Sequence, residues 1–163
     1  MRVLKNVKYA LICFLILVCE MTFAKYLEIG GVVPMLSFCA CLAAALIEDN
    51  FSYIIAVPAI LGVALDICSG HGFGTYTIAF TLASVASFEI RDKLFSSKVI
   101  LLICNAFVMT VLLNMMYYLF HINDIGGGFG ALFLGFMLPS ALYNIAVSLI
   151  FYPILKKILA KRR

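Results

Sequence analysis

Charge is what this chain has least of. Asp, Glu, Lys and Arg together make up 12% of its 163 residues, while 65% are hydrophobic. A soluble domain carries about 25% charged residues, and a soluble fold of this composition would have nowhere to bury its apolar surface. An integral membrane protein is predicted, and the length leaves little room for a separate soluble domain.

Other absences limit the chemistry. The six cysteines (Cys13, Cys19, Cys39, Cys41, Cys68 and Cys104) include no Cys-x-x-Cys pair, so neither a dithiol redox motif nor a zinc knuckle is available. Five of them fall inside hydrophobic runs, where cysteine behaves as a small hydrophobe. No nucleophile stands beside a positioned base, and no paired carboxylates share one face. The run Gly126, Gly127, Gly128 has no lysine or threonine after it, which excludes a phosphate-binding loop. His71 and His121 lie near Asp66 and Asp124, but no pair has metal-ligand spacing. The expectation is a protein without catalytic, cofactor or metal residues, and not an enzyme.

What the sequence does have is six hydrophobic runs, approximately residues 7–26, 30–47, 51–66, 73–89, 99–120 and 129–155. Each is near the roughly 20 residues a helix needs to cross the hydrocarbon core. Only Glu48, Asp49 and Asn50 separate the second from the third, which suits a tight helical hairpin. A single all-α bundle of six transmembrane helices, one polytopic domain over residues 1–163, is predicted.

Basic residues orient it. With the N-terminus in the cytoplasm, Arg2, Lys5, Lys8, Arg91, Lys93, Lys98, Lys156, Lys157, Lys161, Arg162 and Arg163 lie inside and only Lys25 outside, 11 of the 12 basic residues. Both termini are then cytoplasmic. The N-terminal run reads as an uncleaved signal-anchor, because Thr22, Phe23, Ala24 make a poor cleavage site. The basic tail suits anionic lipid headgroups, and nucleic acid is not an expected partner.

The polar residues inside the runs are few enough to take singly. Pro58, Gly62 and Asp66 recur at four-residue steps, hence on one helix face, followed by the glycine-rich turn through Gly70, His71, Gly72 and Gly74. Asp66 can bond the N–H groups of that turn or of the next helix start, whose dipole favours an anion; it can alternatively serve a proton, a cation or a partner. Glu20, about two-thirds along the first run, faces a cost of about 2.5–3.5 kcal/mol if charged at mid-membrane. No second deep acid accompanies it for a proton relay. Ser140, Asn144 and Ser148 form a four-spaced line after Pro139; Asn105 and Asn114, and Thr77, Thr81 and Ser84, add hydrogen-bonding groups. Such groups usually glue helices together, and they can also line a pocket. Ala40/Ala44, Ala79/Ala83/Ser87 and Gly127/Ala131/Gly135 suit close helix contact, within the bundle or with a partner.

Two segments carry a resemblance. The stretch from Gly62 through Asp66 and Gly70 to Gly74 is similar to the characteristic turn of the MreD family of rod shape-determining proteins. The stretch from Leu138 through Pro139, Ser140 and Tyr143 to Asn144, running on to Tyr152, Pro153 and a basic tail, resembles that family's last span. The resemblance covers essentially the whole chain and carries over Gly62, Asp66, Gly70, Gly74, Pro139 and Asn144; His71 departs from it. It implies a scaffold or regulator of bacterial cell elongation in the cytoplasmic membrane. Its expected partners are MreC, with MreB, RodA and a class B penicillin-binding protein, helping direct lateral peptidoglycan synthesis. MreD-like proteins are similar in architecture to substrate-binding subunits of energy-coupling-factor vitamin transporters, the alternative function. That alternative should show an alanine-x-x-x-alanine surface on its first span, which here has only Ala10 and Ala24.

Overall fold

The computed structural model describes residues 2–29, 31–69, 74–91, 97–120 and 129–159. About 90% of them are helical, in six helices, with no strand among them. The helices are α1 (Arg2–Phe23), α2 (Leu36–Ile47), α3 (Phe51–Ser69), α4 (Thr75–Ile90) and α5 (Lys98–Phe120), and a last one in three parts. That last helix runs from α6 (Phe129–Leu132) through a π-helical turn (Phe133–Met137) into α7 (Leu138–Leu159). Four segments are long and apolar enough to cross a membrane: Asn6–Phe23, Phe51–Ser69, Lys98–Met116 and Phe133–Leu159.

The remaining two helices are short, and the second hydrophobic run shows why. Its helix begins only at Leu36, six residues into the run. Pro34 has no N–H to donate, and a proline drives the residue before it into extended backbone. The chain instead turns through Gly31, at a φ of 82°, with Ile29 and Val32 exchanging backbone hydrogen bonds at 3.0 and 3.1 Å. The resulting α2 has 12 residues, a rise of about 18 Å.

This short helix is the centre of the bundle. α7, α4, α1, α3 and α5 all pack against it. Ser37, Phe38, Cys39, Leu42 and Ala43 have no exposed surface at all. A helix apolar on every side has no solvent face to present, and its small residues (Ser37, Ala40, Ala43, Ala45) let five neighbours approach. Phe38 meets Phe80 of α4 with ring centroids 5.4 Å apart. Ala40, Ala83 and Ser87 are likewise buried, so these small-residue faces serve contacts inside the bundle.

Glu48, Asp49 and Asn50 form the α2–α3 turn, and several elements clamp it. The Tyr9 hydroxyl donates to the Glu48 carboxylate. The Asn50 amide N–H donates to the same carboxylate at 3.1 Å, while Asn50 Oδ1 accepts from Ser52 N–H at 3.1 Å and caps α3. Arg91, at the end of α4, donates to the Glu48 carbonyl at 2.7 Å and pairs with Asp49 at 2.8 Å. Tyr9 stacks on Tyr53, centroids 4.6 Å apart. This polar cluster fixes the end of the bundle where α1 starts, and the opposite end is built differently.

Candidate functional site

At that opposite end, each short helix starts beside a long neighbour that runs past it, and its first N–H groups are partly buried. The first turn of a helix leaves four such donors without intrahelical partners. Each short helix receives a carboxylate from the long helix before it.

The α3–α4 corner is the more complete case. Ile54, Val57, Pro58, Leu61, Gly62, Leu65 and Asp66 are buried on one stripe of α3, facing α4. At Gly62 the two backbones almost touch: a Cβ there would lie 2.4 Å from Thr77 Cα and 2.7 Å from Thr77 N. One turn later, Asp66 reaches the start of α4. Its Oδ2 accepts from Gly74 N–H (2.9 Å), Thr77 N–H (3.2 Å) and the Thr77 hydroxyl (2.6 Å), and its Oδ1 from Tyr76 N–H (2.9 Å). Gly74 is the N-cap residue, at a φ of 99°. It has no side chain to cap with, so Asp66 supplies the cap from across the corner. The four-residue spacing is thus a mechanism: Gly62 admits the α4 backbone, and Asp66 then lies within bonding distance of it. Asp66 is 3% exposed, and its hydrogen-bonding capacity is used within the protein.

The α2 start is served from two sides. Glu20 Oε2 accepts from Ser37 N–H at 2.7 Å. From α7, Asn144 Oδ1 accepts from Met35 N–H at 3.0 Å. Asn144 also donates to the Thr110 hydroxyl of α5 at 3.4 Å, and its carbonyl accepts from the Cys39 thiol at 3.3 Å. One amide therefore joins α2, α5 and α7. Asn114 of α5 extends the seam by donating to the Ser140 hydroxyl at 3.3 Å. Pro139 sits just past the π-helical turn, in which the Leu138 N–H donates to the Phe133 carbonyl. A proline ring clashes with the carbonyl four residues back, here that of Gly135, and the wider turn relieves it.

The residues singled out by sequence thus fall into two groups. Pro58, Gly62, Asp66 and Gly74 meet at one corner, with Pro58 buried below it; Glu20 and Asn144 meet at the start of α2. Gly70, His71, His121 and Asp124 lie outside the described residues, as does the run 126–128. Sequence reading did not pair Glu20 with Ser37 or Asn144 with Met35. The latter two are 109 residues apart, and no local pattern marks a buried N–H as needing an acceptor. Thr77 was visible only as one of three hydroxyls on α4; Thr81 turns back to the Thr77 carbonyl at 2.7 Å, and Ser84 is buried.

A substitution tests the Asn144 junction. Asn144→Leu keeps the volume but leaves the Met35 N–H without its acceptor, costing about 2 kcal/mol. A melting temperature lower by several degrees in detergent is expected, with a smaller fall for Ser140→Ala. An unchanged melting curve for Asn144→Leu would show that the junction contributes nothing.

Four long apolar helices around a buried short one, with the deep carboxylates holding helix starts, define a polytopic helical membrane protein. A family model described as rod shape-determining protein MreD matches residues 1–162, and the chain belongs to that family. Its role is in rod-shape determination. Neither a curated protein nor a solved structure matches the chain.

Proposed function

We propose that the chain acts by binding rather than by chemistry, as a scaffold of the bacterial elongation machinery that holds MreC and, through the complex, MreB, RodA and a class B penicillin-binding protein. The observation that carries this reading is the use made of Asp66 and Glu20. Both carboxylates accept backbone N–H groups of a neighbouring helix, which suits a fixed shape and not a reaction centre. In this reading the chain crosses the cytoplasmic membrane six times with both termini inside, as the basic residues favour. α2, with 12 residues, rises about 18 Å, and the four residues before it can reach at most about 13–14 Å more. Together they are sufficient for a core about 30 Å thick.

Partner helices then dock on exposed apolar faces. α1 offers the largest: Val7, Leu11, Phe14, Leu15, Val18 and Met21 are each more than 40% exposed. The vitamin-transporter alternative fits less well. Two cavities among the described residues, beside the starts of α2 and α4, measure about 200 and 210 Å³, below the roughly 300–1,000 Å³ of small-molecule sites. Ala40 is 3% exposed, which leaves it no coupling surface.

Co-production with MreC and purification through a tag on this chain test the proposal. MreC is expected to be retained at near-equal amounts, and Phe14→Arg together with Val18→Arg on α1 to reduce it about tenfold. Retention of MreC no better than by an unrelated six-helix protein would refute it.

A further inference from the structure

α4 and α5 follow one another in the chain and are joined by a buried hydrogen bond near the end of α4. There Asn105 donates to the Ser87 hydroxyl at 2.5 Å. Toward the opposite end the two helices part around a cavity of about 200 Å³, walled by Thr75, Tyr76 and Ala79 of α4 and by Leu113 and Asn114 of α5, with Phe136 of the π-helical turn at its side. The wall is almost wholly apolar. Of its polar residues, Asn114 donates to Ser140, and neither Thr75 nor Tyr76 is without a partner. A buried water needs two to four polar partners, whereas an apolar cavity of about 150 Å³ stays dry and accepts benzene.

The surroundings identify what reaches it. Ile78 and Leu82 on α4 are 56% and 61% exposed, Leu112 and Met115 on α5 are 50% and 41% exposed, and Leu134 beside Phe136 is 67% exposed. In a membrane these faces lie against lipid, so hydrocarbon enters the cleft sideways without ever meeting water. A transmembrane helix, about 10–12 Å across, does not fit the space; part of one extended chain does.

We propose that the cleft between α4 and α5 is a binding site for one acyl chain of a membrane phospholipid. A phospholipid is favoured over scarcer amphiphiles because it surrounds the cleft at the highest concentration, and occupancy follows concentration. The bound chain fills the space between α4 and α5 beside the start of α4, which Asp66 caps.

Native mass spectrometry of the full chain, stripped of loosely held lipid in detergent, tests this. The parent is expected to retain one phospholipid per chain. Ala79→Phe places a ring in the cleft and is expected to lower retention about tenfold, and Leu113→Trp fills it from the α5 side should the first variant not fold. Ile78→Phe, on the lipid-facing side of α4, is expected to retain the lipid. A second measurement needs no filled variant. The sequence has no tryptophan, so Phe136→Trp adds a single indole that can be excited selectively over the eight tyrosines, and phospholipid brominated on its acyl chain should quench it to saturation at one lipid per chain. Equal retention by parent and filled variants, no retention by the parent, quenching without saturation, or retention of a polyprenyl phosphate in place of phospholipid would each overturn the proposal.

Discussion

Gly62→Ala is expected to cost about 3 kcal/mol or more, the upper range for overpacking a close contact, and to lower the melting temperature by about 6–12 °C. The new Cβ would lie 2.4 Å from Thr77 Cα, and that atom is helix backbone, which cannot rotate out of the way. α3 and α4 must separate by about 1 Å to reach ordinary contact distance. Separation also draws Tyr76 and Thr77 away from Asp66, so the packing and the cap fail together. The control is Gly130→Ala, where a Cβ meets nothing within 4 Å. That variant should be neutral or slightly stabilising, because alanine is the better helix former. Thermal melting of purified protein checks both. Equal melting of Gly62→Ala and the parent would mean that the helices are not in contact there.

Substitution of Asp66 is expected to have an effect of similar size and is more diagnostic. Three backbone N–H groups and one hydroxyl point at the carboxylate. An amide has only one acceptor oxygen, and its NH2 must face at least one of those N–H groups. A buried donor left unpaired costs about 1–3 kcal/mol, and loss of the charge removes a favourable interaction with the α4 dipole. Asp66→Asn is therefore expected to destabilise by about 2 kcal/mol and Asp66→Ala by about 4 kcal/mol. Thr77→Val, which deletes only the hydroxyl, should cost about 1 kcal/mol. In cells the same order should appear in loss of rod shape, because a displaced α4 changes the surface the protein presents. If Asp66→Asn left melting, cell shape and MreC co-purification all unchanged, the corner would have no part in the function.

Much of this corner is legible in the sequence. Pro58, Gly62 and Asp66 are spaced to share a face, and the structure buries all three on the α4 side of α3. A carboxylate bonding the start of the next helix was one of the readings open for Asp66, and it is the one found. The second run was less legible: hydrophobicity extends from residue 30, but Pro34 and Gly31 break the helix, and α2 starts at Leu36. A composition window weighs side chains and does not register that proline lacks a donor. Small-residue patterns gave no hint of which partner they served. Ala40 and Ala83 pack inside the bundle, whereas the same spacing on another helix could equally meet a second protein.

The sequence by itself determined the membrane environment, the helical class and the family signature. Each follows from composition or from spacing along one helix, and these survive any arrangement of the helices. Tertiary structure alone decided that α2 lies at the centre, and that Glu20 and Asn144 meet its first N–H groups from α1 and α7. Those choices depend on which buried donors lack partners once six helices are packed. Such a need arises between segments far apart in the chain, where sequence periodicity carries no information.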